Sequence, residues 1–309
     1  MIQVENLHKH YGPVHALDGL NMTVEPGIVF GFLGPNGAGK TTTLRILTGL
    51  ARPTSGRASV AGIDLASDGR TLSRRIGFLP EEPAFYSWMT PREFLDYLGR
   101  LHGLSSLERA ARTKELLALV NLDEAGKRRI GGFSHGMRQR LGLAAALVHN
   151  PEVLLLDEPV SALDPSGRKE VLEFIETLGG KCTVLMSSHI LADVERVCSV
   201  VGIIARGRML VQSPRQALMD RYAQPIFEAE VTEAASARRW AEMIKIQPWA
   251  AGVVVDGEVV RVTVKDVARA RREMMASAVA QEVLLRRFEE IRPSLEDVFL
   301  QLVNREAVQ

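Results

Sequence analysis

Three short clusters in this sequence carry residue types that could hold and cleave a polyphosphate. The first is Gly34-Pro35-Asn36-Gly37-Ala38-Gly39-Lys40-Thr41-Thr42, with the spacing Gly-x-x-x-x-Gly-Lys-Thr. Its glycines let the backbone curl so that successive N–H groups face phosphate oxygens, and a following helix adds positive potential at its N-terminus. Lys40 is then expected to reach the β- and γ-phosphates, Thr41 to ligate Mg²⁺ and Thr42 to bond the α-phosphate. The second cluster is Leu154-Leu155-Leu156-Asp157-Glu158, an apolar run ending in two carboxylates. Two acids closing a strand are often only structural, but downstream of such a loop they are the expected partners. Asp157 would hold Mg²⁺ through water, and Glu158 would polarise the attacking water as general base. In the third cluster, Ser134 stands where a helix cap belongs. Its hydroxyl, the Gly136 N–H and the helix dipole would make a second anion site.

These clusters need a scaffold, and the periodicity supplies one. Short strands are predicted at Ile2–Val4 and Leu20–Val24, separated by the Tyr11-Gly12-Pro13 turn, and Ile28–Leu33 reads as a buried strand leading into the glycine loop. A helix over Thr43–Leu50 follows, then strands at Arg57–Val60 and Ile76–Leu79. From Pro91 to Val120 the spacing is helical, with Phe94, Leu95, Leu98 and Leu101 on one stripe. A helix from Ser134 to His149 precedes the strand Val153–Leu156. Strands at Thr183–Met186 and Val200–Ile204 then alternate with helices at Ser166–Leu178 and Leu191–Val197, which implies a mainly parallel sheet. Beyond Met219 the order becomes Ile226–Val231, helix Ala234–Ile246, strands Ala251–Val255 and Val259–Val264 around the Asp256-Gly257 turn, helix Val267–Ala278, strand Glu282–Phe288 and helix Leu295–Val303. That β-α-β-β-α-β order is ferredoxin-like.

The segment Phe133-Ser134-His135-Gly136-Met137-Arg138-Gln139-Arg140 resembles the Leu-Ser-Gly-Gly-Gln signature of the ATP-binding cassette (ABC) ATPases. Ser161-Ala162-Leu163-Asp164 matches that family's D-loop, and Ser188-His189 its switch histidine, all in family order up to about Met219. The resemblance implies an α/β fold: a RecA-like P-loop NTPase core over residues 1–220 with a helical subdomain inserted at about 84–150. Residues 221–309 would form a small accessory α+β domain. It further implies ATP and Mg²⁺ as ligands, His189 on the γ-phosphate, and Tyr11 stacked on adenine. Ser134 and Gly136 would face the γ-phosphate held by a second protomer, so that two cassettes, identical or paralogous, close head to tail over two ATP molecules. Two departures stand out. His135 and Met137 replace the signature's first glycine and its glutamine. Glu81 occupies the Q-loop position, where a carboxylate could ligate Mg²⁺ but would repel the γ-phosphate at close range.

Composition narrows the setting. With 38 basic against 37 acidic side chains and a net charge of +1, nothing global favours nucleic acid as a partner. Cys182 and Cys198, the two cysteines of the chain, read as core residues rather than a zinc site. The first ten residues carry charges and no apolar run, so no signal peptide is expected, and no stretch reaches the ~20 apolar residues of a membrane-spanning helix. Any membrane role therefore runs through a partner. Arg292-Pro293-Ser294-Leu295-Glu296-Asp297-Val298-Phe299 resembles a segment near the C-terminus of ABC-2-type exporter ATPases. The resemblance implies a separate integral-membrane permease and a peripheral location on the cytoplasmic face of the cell membrane. Phe85, Tyr86, Trp88, Phe94 and Tyr97 lie where such cassettes meet their permease, although packing within the helical subdomain would use the same residues. The rival is a cassette ATPase acting on ribosomes or DNA, but the chain has one copy of each motif and no sustained heptads between loop and signature. A hydrolytically dead regulator is disfavoured by the presence of Lys40, Asp157, Glu158 and His189.

Overall fold

The computed structural model describes residues 1–66, 69–222, 224–291 and 293–307. The chain divides into two compact units, Met1–Arg215 and Gln216–Gln309. In chain order the first contains β1 (Ile2–Tyr11), β2 (Val14–Val24), β3 (Val29–Leu33), α1 (Lys40–Leu47), β4 (Ser55–Val60), β5 (Ile63–Asp64), α2 (Gly69–Arg75) and β6 (Ile76–Leu79). Then come α3 (Pro91–Leu101), α4 (Ser106–Leu119), α5 (His135–Ala146), β7 (Val153–Asp157) and α6 (Pro165–Thr177). The unit closes with β8 (Thr183–Ser188), α7 (Leu191–Val197), β9 (Val200–Ala205) and β10 (Arg208–Pro214), followed by α8 (Arg215–Tyr222).

Two sheets share these strands. A six-stranded sheet runs β10-β9-β3-β8-β7-β6 and is parallel from β9 to β6, with β10 added antiparallel at one edge. Its central strands are buried on both faces, as their unbroken apolar runs require. A second, antiparallel sheet, β2-β1-β4-β5, was not foreseen. Its strands β1 and β2 are far longer than the two short segments expected, because irregularities after Val4, Leu7 and Lys9 break the period-two alternation that would have revealed them. Ile2, Leu7, Leu17 and Leu20 from this sheet join Phe30, Phe32, Leu44, Leu47 and Leu155 in one core, with α1 clasped between the sheets.

The helical stretch predicted over Pro91–Val120 is two helices, separated at Gly103, whose φ of 79° ends α3. Both start on capping boxes, Thr90 with Glu93 and Ser105 with Glu108. Helix α5 stops at Ala146, one turn short of the expected His149. Cys182 and Cys198 are free and buried, and burial pushes the Cys182 thiol up to about 11.

The second unit holds β11 (Ile226–Val231), α9 (Ala234–Lys245), β12 (Ala250–Asp256), β13 (Val259–Val264), α10 (Val267–Ala280), β14 (Leu285–Ile291) and α11 (Leu295–Ala307). The strand order β12-β13-β11-β14, antiparallel throughout, is the ferredoxin-like arrangement. Phe227, Trp240, Trp249, Val262 and Met274 form its core. Strand β14 begins three positions later than predicted, because Glu282 adopts a left-handed φ of 52° and ends the preceding helical turn. In the tail segment, Ser294 and Asp297 hydrogen-bond reciprocally at the start of α11, and Leu295 and Val298 are fully buried. The segment is thus a capping box with a hydrophobic anchor. Its first residue, Arg292, lies outside the described residues.

Candidate functional site

The order β3-β8-β7 brings three loop starts into a row at the carboxyl ends of adjacent parallel strands, where open α/β sheets place their ligands. Register fixes the alignment: Leu33 is opposite Ser188, and Asp157 is opposite Ser187. The glycine loop leaves β3, the two carboxylates end β7, and His189 follows β8.

Gly34 to Gly39 wraps from β3 into α1, whose N-cap is Gly39 at φ 109°. A side chain at Gly34 would stand 2.4 Å from the Ile204 carbonyl oxygen, and one at Gly39 would stand 2.6 Å from that of Ala16. Neither position admits a Cβ, which is the physical content of the glycine spacing. Lys40 is buried, and its ammonium donates to the carbonyls of Gly34 at 2.7 Å and Pro35 at 3.4 Å. Burial pulls its pKa below the ordinary lysine value, opposed by the negative charges of Glu158, Asp157 and Glu81. Thr41 and Thr42 are half-buried on the first turn of α1, while Thr43 turns inward and donates to the Gly39 carbonyl at 2.9 Å.

Asp157 and Glu158 are both buried. Ser187 joins them: its hydroxyl donates to Asp157 Oδ1 at 2.6 Å and accepts from the Glu158 N–H at 3.1 Å. Glu158 has a left-handed φ of 49°, a conformation that costs a non-glycine residue about 1–2 kcal/mol. The strain is held by that Ser187 contact and by the Glu158 carbonyl, which accepts from Gln139 Nε2 at 3.3 Å and Ser161 Oγ at 3.1 Å. Its carboxylate points between two cations or donors, Oε1 at 4.0 Å from Lys40 Nζ and Oε2 at 2.9 Å from His189 Nδ1. His189 is itself half-exposed. Lys40, Asp157, Glu158 and His189 therefore converge from segments far apart in sequence. Glu81, exposed at the end of β6, acts on Lys40 through its charge.

Ser134 caps α5 as expected, accepting from the Met137 N–H at 3.3 Å. Gly136 abuts the D-loop, since a Cβ there would meet Leu163 Cδ2 at 3.3 Å and the Ala162 carbonyl at 3.4 Å. Among the described residues, no hydrogen bond or ion pair links Ser134 or Gly136 to the Lys40–Glu158–His189 cluster. Tyr11 is exposed at the tip of the β1–β2 hairpin, with the Lys9 ammonium 4.8 Å from its ring centre. Two contributors went unassigned in the sequence reading. Ser187 carried the signal of a hydroxyl one residue before the Ser188-His189 pair. Gln139 sat inside the signature segment, and only its depth in the fold reveals its contact.

Comparison with known proteins places this geometry. The ABC transporter family profile matches residues 17–161, and the profile for the C-terminal domain of DrrA1-3-like ATP-binding proteins matches residues 214–303. The chain is 41% identical over 305 residues to the uncharacterized ABC transporter ATP-binding protein YxlF of Bacillus subtilis (strain 168), spanning 98% of this chain and 100% of that one. It is 36% identical over 311 residues to the daunorubicin resistance ATP-binding protein DrrA3 of Streptomyces coeruleorubidus, covering 97% and 95% of the two chains. Among solved structures, the dimeric structure of MJ0796, a bacterial ABC transporter cassette, matches with a TM-score of 0.65 and 25% identity over 69% of this chain and 98% of that one. A glycine-rich loop between strand and helix, a strand ending in paired carboxylates, a facing histidine and a serine-capped helix thus coincide with similarity over 98% of the chain, and the chain belongs to the ATP-binding proteins of ABC transporters, a family of ATPases.

Proposed function

We propose that two copies of the cassette unit close head to tail over two MgATP molecules, and that closure drives export through a separate membrane permease. The observation that carries this reading is the split of the site within one chain. Lys40, Asp157, Glu158 and His189 are gathered, whereas the helix start at Ser134 and Gly136 has no hydrogen bond or ion pair to them among the described residues. A second copy supplies the missing half, and the similarity to a dimeric cassette supports it. ATP would act as the joint, since moving such an equilibrium from mostly open to mostly closed takes ~5 kcal/mol of differential binding, within reach of two polyanions.

Each residue then has a task. Phosphate oxygens would take over from the carbonyls of Gly34 and Pro35 as hydrogen-bond partners of the buried Lys40 ammonium, adding negative charge to that of Glu158 at 4.0 Å. Thr41 and, through water, Asp157 would hold Mg²⁺, with Glu81 as a third candidate ligand. So few protein donors suit an ion that keeps waters and takes phosphate oxygens. The metal would neutralise charge on the β- and γ-phosphates. Glu158 takes the proton of the attacking water, while His189 orients that carboxylate and contacts the γ-phosphate. Tyr11 stacks on adenine.

Export is supported by the DrrA-like C-terminal domain and by the resistance protein among the relatives, and these favour it over a ribosomal or nucleic-acid role. Among the described residues no helix is long and apolar enough to cross a membrane; in this reading the permease is a separate chain or chains, and the cassette lies on the cytoplasmic face of the membrane. Phe94 is buried against Phe85, but Tyr86 and Trp88 remain 42% and 63% exposed, with ring centres 5.0 Å apart, and offer the permease an aromatic contact.

Sedimentation of Glu158→Gln tests the central claim. It is expected to be dimeric at saturating Mg-ATP and monomeric without nucleotide, and Ser134→Ala in the same background should weaken the dimer. A trapped variant that stays monomeric both alone and with its permease overturns the proposal.

A further inference from the structure

We propose that Arg168 and Asp193 are positioning residues that lock the switch histidine to the D-loop, an inference that rests on the roles of Glu158 and His189 given above. Arg168 stands on the first turn of α6, directly after the D-loop, and its backbone N–H donates to the carbonyl of Asp164 at 2.9 Å. Asp193 stands on the first turn of α7, directly after His189. Arg168 Nε and Nη2 both lie 2.7 Å from Asp193 Oδ1. Asp193 is only 3% exposed, and its second oxygen, Oδ2, is buried without a hydrogen-bond partner among the described residues. Arg168 is therefore the charge that compensates a buried carboxylate, and removing it leaves that carboxylate unpaired.

The pair closes a ring. From Glu158, the carbonyl accepts from the Ser161 N–H and hydroxyl; the Leu163 N–H donates to Val160; Asp164 then leads to Arg168. Across the ion pair, the Asp193 N–H donates to the Ile190 carbonyl, and the Ile190 N–H donates to Ser188 Oγ at 2.9 Å. His189, gripped between Ser188 and Ile190, returns the ring to Glu158 through its 2.9 Å contact. A second ion pair joins the same helices farther along, Arg196 Nη2 of α7 donating to Glu173 Oε1 of α6 at 2.7 Å, but that pair is exposed, whereas Arg168 meets a buried carboxylate next to the D-loop and the histidine. The D-loop in turn abuts Gly136 of the signature helix. A displacement of that loop is thus passed through Arg168 to the imidazole that faces the terminal phosphate.

The full chain with Mg-ATP tests this. Arg168→Ala should lower kcat by about tenfold or more while leaving the KM for ATP within about twofold, because a small misplacement of a reacting geometry costs that much and the phosphate cradle is untouched. The His189 imidazole resonances should shift in its NMR spectrum, and Arg168→Lys should restore part of the turnover. Should Arg168→Ala not fold, Asp193→Asn is read the same way. Unchanged kcat, or a loss of thermal stability with unmoved His189 resonances, overturns the proposal and leaves the dimer mechanism standing. Full turnover in His189→Ala would instead remove the histidine from the mechanism, and this proposal with it.

Discussion

Lys40 concentrates the electrostatic cost of the site in one residue. It is buried, its pKa is depressed by burial, and its nearest acceptors are two neutral carbonyls. A phosphate is the better partner, so ATP binding should stabilise the fold through this residue. At a hundredfold excess over Kd the gain is about 2.7 kcal/mol, visible as a rise in Tm. Lys40→Ala is expected to show no such rise, and normal ATP-dependent stabilisation would contradict the phosphate assignment. Glu81 is the chain's own departure from its family's pattern. Replacing it with glutamine removes one negative charge near Lys40 and the γ-phosphate. Turnover of purified Glu81→Gln is therefore expected to be preserved or raised, and its complete loss would show that the carboxylate is required.

Elements hold these residues through their ends. Helix α5 begins on Ser134 and ends near His149, whose Nε2 lies 3.0 Å from the Ile76 carbonyl of β6. His149 stacks on His102 with centres 3.8 Å apart, and burial, aided by His102 and Arg112, pulls its pKa from 6.5 to about 4. The folded chain thus binds this proton only well below the pH at which the unfolded chain does. Stability from this residue is full above about pH 6.5 and is lost as pH falls towards 4, by at most about 3 kcal/mol and by less after solvent screening. His149→Gln keeps a donor for Ile76 without titrating, so its urea midpoint should fall less between pH 7 and pH 5 than that of the native chain. Equal falls would show that His149 does not govern the acid limb. Capping can be tested on the same helix: Ser134→Ala should cost about 1 kcal/mol in urea unfolding without nucleotide, since its hydroxyl satisfies the Met137 N–H.

At the scale of the whole molecule, the two compact units have separate cores. The first has its own two-sheet core and the entire Lys40–Glu158–His189 cluster; the second has its own core around Trp240 and Phe227. A fragment ending at Arg215 is therefore expected to bind ATP with near-native affinity and to be impaired in assembly with its permease, as read by equilibrium binding and co-purification. Loss of nucleotide binding in that fragment would show that the second unit is part of the ATP site. The tail segment marks the exporter resemblance, yet its structural work is local, with Ser294 and Asp297 capping α11 and Leu295 and Val298 anchoring it.

The sequence by itself determined what depends on neighbours along the chain. Glycine spacing specified the phosphate loop, because it reports backbone freedom over six positions, and apolar runs bounded by turns specified the buried strands β3, β7 and β8. Alternation of helix and strand specified the sheet class, and the Asp256-Gly257 turn located a hairpin. Of strands β1 and β2 only Ile2–Val4 and Leu20–Val24 were legible, because irregularities in their pairing scramble the period on which strand recognition relies. Only the tertiary structure decided that β8 lies between β3 and β7, which puts Ser187 against the Asp157 carboxylate and the Glu158 N–H, and His189 against the Glu158 carboxylate. It also decided that Glu158 takes a left-handed backbone and that Arg168 meets Asp193. These contacts join residues from 25 to 31 positions apart, set by strand order and helix packing, and no local pattern of residue types encodes which distant partner a given side chain will meet.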